Sequence, residues 1–221
     1  YLGGSAMGMH YILREMPKGA DPLGQDNVLT LMAGVTTGAP ISGQSRLNAN
    51  AKSPISGGIG DSQSGGFFPA ELKFAGFDGI VVKGKSSKPV YLAILNGTPE
   101  LRDAAHLMGK LTGEVDDILH KEVDPKAEIL QHGPGAENGV LFSTLVSMSS
   151  RHNGRTGMGL VMASKNLKAV VVRGAKKVEM ADAKAVAALN KIGPKAVPEN
   201  GDMDGLAKFG TAVVVLFNNT I

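Results

Sequence analysis

Residues 65–84 read GGFFPAELKFAGFDGIVVKG, and residues 155–174 read RTGMGLVMASKNLKAVVVRG. Slid by 90 positions, the two agree in pattern without a gap. Each opens on a glycine-rich loop and passes through a short segment of helical character. Each leaves through an apolar strand, Ile80-Val81-Val82-Lys83-Gly84 in one and Val170-Val171-Val172-Arg173-Gly174 in the other. A repeat of this length implies a duplicated unit. Each copy also sets a glycine-rich loop before a helix start, where unpaired N–H groups and the helix dipole favour an anion. Two such places, joined by a two-fold duplication, suit a ligand with two phosphates or two phosphorylated ligands.

Outward from the repeat, Tyr1 to Met16 carries apolar residues at Met9, Ile12, Leu13 and Met16, which is helical spacing. Pro17 and Gly19 stop it. Strands are expected at Val28–Ala33 and Leu47–Ala51, with long irregular loops at 34–46 and 52–66. A short helix is expected over Phe67–Ala75 and a buried strand over Gly79–Lys83. Val90–Leu95 reads as a strand, and Asn96-Gly97 as a hairpin turn that returns it near Pro99–Arg102. Thr112–Val123 reads as a helix capped by Thr112, with Val115, Ile118 and Leu119 as its apolar stripe. The second copy supplies strands at Glu128–His132 and Val140–Ser147, loops at 133–139 and 149–159, and a helix at Leu160–Asn166. A last strand is expected at Val178–Met180. From Ala183 the composition turns to Ala- and Lys-rich helix and then a Pro-, Gly- and Asn-rich link. The expected organisation is an α+β, β-rich domain over 1–180, made of two intertwined pseudo-two-fold repeats, and the start of a helical domain over 181–221.

The chain has 221 residues, enough to bury a sizeable core. Its 30 glycines are about twice the usual frequency of roughly 7%. They lie among apolar runs, so the chain reads as loop-rich and globular. The net charge of +3 comes without a block of like charges, and Trp is absent, which argues against a base-stacking nucleic-acid platform. With no cysteine, the chain itself offers no disulfide, thiolate zinc site or iron–sulfur ligand. No apolar run reaches the roughly 20 residues of a membrane-spanning helix. No signal peptide opens the chain, which lacks a starting Met and reads as a fragment.

Arg46, Lys52, Arg151 and Arg155 fall in or beside the irregular loops of the two copies. Guanidinium forks suit phosphate, and Lys adds a point charge. Beside Ser64-Gly65-Gly66 and Thr156-Gly157 they form a candidate anion cradle. Gly157-Met158-Gly159 is no dinucleotide fingerprint, and Gly159 to Lys165 lacks the second glycine of a P-loop. His10, His106, His120, His132 and His152 show no metal-ligand spacing. Neither Asp61 with Glu71 nor Asp103 with Asp116 stands at a catalytic spacing. Ser53, Ser56, Ser62 and Ser64 lack the context of a nucleophile elbow. The residues alone give a duplicated, anion-cradling α+β domain with no visible catalytic acid, base or nucleophile.

Several strings are nonetheless specific: Ala51-Lys52-Ser53-Pro54, Ser64-Gly65-Gly66-Phe67-Phe68, Ala70-Glu71-Leu72-Lys73-Phe74-Ala75-Gly76-Phe77-Asp78, Leu101-Arg102-Asp103-Ala104, Gly133-Pro134-Gly135-Ala136-Glu137-Asn138 and Ser164-Lys165-Asn166-Leu167-Lys168-Ala169. In order and spacing they resemble the N-terminal domain of the aldehyde:ferredoxin oxidoreductases, across nearly all of 1–180. The resemblance implies a cytoplasmic tungsten (or molybdenum) enzyme that oxidises aldehydes to carboxylates and passes electrons to ferredoxin through a 4Fe-4S cluster. It implies that this domain is the base under a bis-pyranopterin, whose dithiolenes hold the metal. It also implies a magnesium ion bridging the two pterin phosphates, bound by the main chain at Gln63 and His152. Arg46, Arg151 and Arg155 match family arginines around the cofactor.

The chain departs from the family pattern at Gln63, where Asn is usual, at His152, where Ala is usual, and at Thr156, where the family has glycine. The cluster cysteines and proton-transfer residues belong to later domains, so this chain alone is expected to be inactive. Expected partners are ferredoxin, an aldehyde, the remaining domains and further copies in a homo-oligomer; nucleic acid and membrane are not expected. Two readings stand beside this one: a non-catalytic binding or assembly module on the same fold, and a family member acting on an aromatic acyl-CoA.

Overall fold

A computed structural model describes residues 2–220; the expectations at Tyr1 and Ile221 lie outside the described residues. Contacts divide the chain into two compact units. The larger runs to Gly38 and resumes from Gln44 to Val178; the smaller combines Ala39–Gly43 with Glu179–Ile221.

The larger unit holds two sheets. The first contains β1 (Leu29–Ala33), β2 (Leu47–Lys52), β3 (Ile59–Ser64) and β4 (Gly79–Val82), in the order β3-β2-β1-β4 and antiparallel throughout. The second contains β5 (Val90–Leu95), β6 (Thr98–Asp103), β7 (Glu128–His132), β8 (Leu145–Ser147), β9 (Arg151–Asn153) and β10 (Leu167–Arg173), in the order β6-β5-β10-β7-β8-β9. The run β9-β8-β7-β10 repeats β3-β2-β1-β4 in order and orientation. Ile80 stands opposite Leu31, and Val170 opposite Leu130. The final strands therefore keep the 90-residue offset of the sequence repeat, while the opening strands do not, because the second half is shorter between them.

Helices α1 (Gly4–Glu15) and α3 (Thr112–Glu122) precede the two four-strand runs. α2 (Phe68–Phe74) and α5 (Met158–Ser164) precede their last strands, at the expected offset. The halves interlock: α2 packs on β1 and also on β7 and β10, and α5 packs on β7 and β10 and also on β1 and β2. One core gathers Leu31, Leu47, Phe68, Leu72, Leu130, Leu145, Met158, Met162 and Val170 from both halves. On the other face of the second sheet, Ala169, Val171 and Ile129 pack under Val115 and Leu119 of α3. The alternation of Val170 and Val172 with Ala169 and Val171 between the two cores is the period-two signature of a strand buried on both faces. Hydrogen bonds also cross between the halves. The Glu71 carboxylate accepts from the Arg173 guanidinium at 2.6 Å and from the Gly174 N–H at 2.8 Å, and the Ser53 hydroxyl donates to the Thr156 carbonyl at 2.9 Å.

Several local expectations are corrected. The loop at 52–66 contains β3, whose inward residues Gly60, Ser62 and Ser64 carry no apolar signal. β9 lies within the loop at 149–159, and the following helix starts at Met158. α4 (Pro134–Glu137) interrupts the loop at 133–139, and Val140–Ser147 is strand only from Leu145. β4 is half-buried because it lies at a sheet edge. Thr112 does not cap α3; the Glu114 carboxylate accepts the Leu111 N–H at 2.7 Å instead. Val178–Met180 forms no strand. The turn at Asn96-Gly97 has positive φ at both residues, as a two-residue type I′ hairpin requires.

The smaller unit is helical: α6 (Ala183–Asn190), α7 (Ile192–Ala196), α8 (Gly201–Phe209) and α9 (Val214–Thr220). Asp182 and Asn200 accept backbone N–H groups at the starts of α6 and α8. Among the described residues no helix is long and apolar enough to cross a membrane.

Candidate cofactor-binding site

The two halves meet at the ends of β3 and β9. Gln63 pairs with Asn48 and Ser64 with Leu47; His152 pairs with Val146 and Asn153 with Leu145. Gln63 and His152 thus hold equivalent register places, as do Ser64 and Asn153. The equivalent residues Ser64 and Asn153 touch: the Ser64 hydroxyl donates to Asn153 Oδ1 at 2.9 Å. The Asn153 amide donates in turn to the carbonyls of Leu47 at 3.2 Å and Ser62 at 2.9 Å. Asn153 is fully buried, and its three hydrogen bonds fasten the second half to β2 and β3 of the first.

Beside this clasp lies a cleft of about 570 Å³, lined by Arg46, Gln63, Ser64, Gly65, Ser150, Arg151 and His152. Arg46, Gln63, Arg151 and His152 are exposed. Among the described residues neither Arg46 nor Arg151 forms an ion pair with a carboxylate. Arg46 Nη1 donates to its neighbour's carbonyl, Ser45 O, at 3.2 Å. The loops are tied from below. Ser45 donates to the Gly66 carbonyl at 2.7 Å, and the Phe67 N–H points to Met148 Sδ at 3.2 Å. The His152 ring lies 3.1 Å from the Thr144 hydroxyl through Nδ1. Beneath, Ser149 donates to Asp116 at 2.7 Å, and burial pushes the Asp116 carboxyl above its ordinary pKa.

Six of the residues read from the sequence therefore share one cleft: Arg46, Gln63, Ser64, Gly65, Arg151 and His152. Gly66 is adjacent; a Cβ there would lie 3.0 Å from Arg151 Cγ. Arg155 is exposed, two residues beyond β9, and does not line the cleft. Lys52 lies at the far end of β2, roughly 17 Å of strand from Leu47, with its ammonium donating to Ala20 O at 2.6 Å. Gly157 takes φ 80°, and a Cβ there would come within 2.5 Å of Leu141 O and 2.7 Å of Pro54. Its lack of a side chain serves packing. Neither helix start lines the cleft; Gly159 N–H donates to Ser143 O at 3.0 Å, and Phe67 N–H is taken by Met148. The cation-lined space sits instead where strands pass into loops. Among the described residues, no three His, Asp or Glu side chains are placed to hold a metal.

Residues that the sequence reading missed are Asn153, Thr144, Met148 and Ser150. None of the four carries a local cue in the sequence.

Fold and cleft together define an α+β domain whose two sheets share a four-strand order and meet at an open cationic hollow. The sequence matches the profile described as aldehyde ferredoxin oxidoreductase, N-terminal domain, over residues 1–174. The chain belongs to that family. It is 42% identical to the tungsten-containing aldehyde ferredoxin oxidoreductase of Pyrococcus furiosus, a match over 97% of this chain and 36% of the relative. The enzyme of the same description from Thermococcus kodakarensis matches equally, at 42% and with the same coverage. An aliphatic sulfonate oxidoreductase, WOR-like subunit, of Pyrococcus furiosus is 35% identical over 79% of this chain and 30% of its own length. Among solved structures, the active-site complex BamBC of benzoyl coenzyme A reductase with 1,5-dienoyl-CoA superposes with a TM-score of 0.86. That match has 36% identity and covers 90% of this chain and 31% of that one. The chain thus spans about a third of the length of these oxidoreductases.

Proposed function

We propose that this domain is the platform for a tungsten (or molybdenum) bis-pyranopterin in a cytoplasmic oxidoreductase that converts aldehydes to carboxylates with ferredoxin as electron acceptor. The observation that carries the reading is the pair Arg46 and Arg151. One comes from each half, both are exposed, neither has a carboxylate partner among the described residues, and both line the cleft of Gln63 and His152. An exposed guanidinium pair in a concave site suits a ligand that bears two phosphates.

Arg46, Arg151, Ser64 and the backbone at Gly65 and Gly66 would hold the phosphates. The main chain at Gln63 and His152 would supply oxygen ligands to a bridging magnesium ion. When bound, the pterin-held metal supplies the redox chemistry. The work of this chain is to bind and orient it, and the Asn153 clasp fixes the spacing of the two strand ends that do so. With no cysteine in the chain, thiolate ligands for a 4Fe-4S cluster come from the remainder of the protein.

The test is metal and pterin content of the full-length protein. Losing one charge-assisted hydrogen bond of about 1.5–3 kcal/mol weakens retention by roughly 10- to 150-fold. Arg46→Ala and Arg151→Ala are therefore expected to lose tungsten and pterin on dialysis, with the fold intact by circular dichroism. Full occupancy in both variants would sink the site. One observation favours a second reading: the closeness of the benzoyl coenzyme A reductase structure fits an enzyme acting on an aromatic acyl-CoA. Assay of the full-length protein with an aldehyde and with an aromatic acyl-CoA separates the two.

A further inference from the structure

We propose that Asp116 is a positioning residue of the cofactor cleft: it holds the turn between β8 and β9 in the conformation that sets Ser150 and Arg151 against the loop of the other half. The inference rests on the reading of this cleft as a phosphate site. It starts from a difference between the halves. In the first, β3 runs through six residues, Ile59–Ser64, and the cleft residues Gln63 and Ser64 stand at its far end from the β2–β3 loop. In the second, β9 has three residues, Arg151–Asn153, so its turn lies directly against Ser150 and Arg151 on the cleft wall. What fixes that turn fixes the wall.

The turn needs help to keep its shape. Ser150 N–H closes it onto Ser147 O at 3.2 Å. Its central residues, Met148 and Ser149, take φ 53° and 51°, the left-handed region that glycine or asparagine usually fills in such a turn. Among the described residues no other two adjacent non-glycine residues do so. The loop of the first half, at 53–58, puts a glycine, Gly57, at its positive φ. In the second half the offset comes from a side chain. The Ser149 hydroxyl donates to Asp116 Oδ2 at 2.7 Å, and a bond to a charged acceptor favours the left-handed turn over its relaxed alternatives. Asp116 is held in its turn: its Oδ1 accepts from Gln131 Nε2 at 2.6 Å, and that amide also donates to Thr112 O at 2.9 Å. Gln131 is buried in β7, so a half-buried carboxylate on α3 ties the turn to the interior of the sheet. The turn also grips the first half. Met148 Sδ takes the Phe67 N–H at 3.2 Å, and a Cβ on Gly66 would come within 2.9 Å of that sulfur and 3.0 Å of Arg151 Cγ. A turn relaxed to negative φ would carry the sulfur and the Arg151 stem out of that fit.

The test uses the full-length protein with its cofactor and compares Asp116→Ala, Ser149→Ala, Ser149→Gly and the double variant Asp116→Ala/Ser149→Gly. The first readout is amide hydrogen exchange at Ser150, resolved by mass spectrometry and corrected for intrinsic rates. Asp116→Ala and Ser149→Ala are each expected to speed it by about 10-fold. Ser149→Gly loses the same hydroxyl but suits positive φ, so it is expected to exchange like wild type and to restore the double variant. A merely structural loss at Asp116 would not be rescued by glycine at 149. The second readout is tungsten and pterin kept on dialysis, which Asp116→Ala and Ser149→Ala are expected to shorten by at least about 3-fold and glycine to restore. Unchanged exchange in both alanine variants, or equal effects of alanine and glycine at 149, overturns the proposal. Should Asp116→Ala fail to fold, the alanine and glycine variants at the exposed Ser149 still decide it. Wild-type retention in Asp116→Ala beside loss in Arg151→Ala overturns this proposal alone. Wild-type retention in both marks failure of the phosphate reading, and the proposal falls with it.

Discussion

Leu31 and Leu47 of the first half, and Leu130 and Leu145 of the second, occupy the same register places and lie in one shared core. A few residues away the halves part company. Position 78, which follows α2, is an exposed Asp paired with Lys73. Its counterpart at the 90-residue offset is Lys168, whose side chain is wholly buried against Glu137. Gln63 and Ser64 in one half face His152 and Asn153 in the other. Apolar packing tolerates duplication because a buried leucine needs only volume and a dry environment. Polar positions diverge because each hydrogen bond is made with a particular partner, and a partner between two halves needs to be supplied only once.

The largest expected effect tests that asymmetry. Lys168 Nζ donates to Glu137 at 2.5 Å and to His132 O at 3.0 Å, and Glu137 also accepts the Gly109 N–H at 2.7 Å. Lys168→Met strands the Glu137 carboxylate in a largely dry site and is expected to cost about 3–5 kcal/mol. Asp78→Ala, at the matching place, removes a pair whose carboxylate is exposed and is expected to cost about 0–1 kcal/mol. Urea unfolding of the 221-residue chain reads both, and equal losses would erase the distinction. Next comes the clasp. Asn153→Ala leaves the Leu47 and Ser62 carbonyls and the Ser64 hydroxyl without their partner, at about 2–3 kcal/mol, against roughly 1 kcal/mol for Ser64→Ala. A smaller loss for Asn153→Ala than for Ser64→Ala would mean that the clasp is not centred on Asn153.

The duplicated packing was legible in the chain because apolar strands and glycine-rich turns leave periodic marks. Ile80-Val81-Val82 and Val170-Val171-Val172 announce buried strands wherever they fall. β3 was not legible, since IGDSQS turns Gly60, Ser62 and Ser64 inward and reads as a polar loop. The missed strand misplaced Lys52: it is next to the loop in sequence but at the opposite end of β2 in space. Arg46 and Arg151 stood out as loop cations beside glycine-rich stretches, Gln63 and His152 only through resemblance to a family, and the fold brings all four into one cleft. Asn153 left no usable mark, because its role consists of three tertiary hydrogen bonds. Gly157 was read as a ligand-approach position, yet the contacts it permits are with Pro54 and Leu141.

The smallest expected effect lies within one strand and depends on pH. β7 begins at Glu128 and ends at His132. Burial and the nearby Glu71 carboxylate raise the Glu128 carboxyl to about 7. Burial and the Lys168 ammonium lower the His132 imidazole to about 4. Between the unfolded carboxyl value near 4.5 and pH 7 the native state binds more protons at Glu128 than the unfolded chain, so this group's contribution to stability falls as pH rises. Between pH 4 and the unfolded imidazole value near 6.5 the native state binds fewer protons at His132, so that contribution rises with pH and is lost on acidification. The two slopes oppose each other across about pH 4.5–6.5, and the wild-type chain is expected to show little net dependence from this pair. Glu128→Gln removes one side of the balance. Its stability relative to wild type should climb with pH by on the order of 2 kcal/mol between pH 5 and 8. His132→Asn should tilt the wild-type curve the other way, toward lower stability at pH 6.5 than at pH 4.5. The readout is the urea midpoint of the 221-residue chain at half-unit steps of pH. A Glu128→Gln curve parallel to wild type across the whole range would show that Glu128 ionises in the folded chain as it does in water.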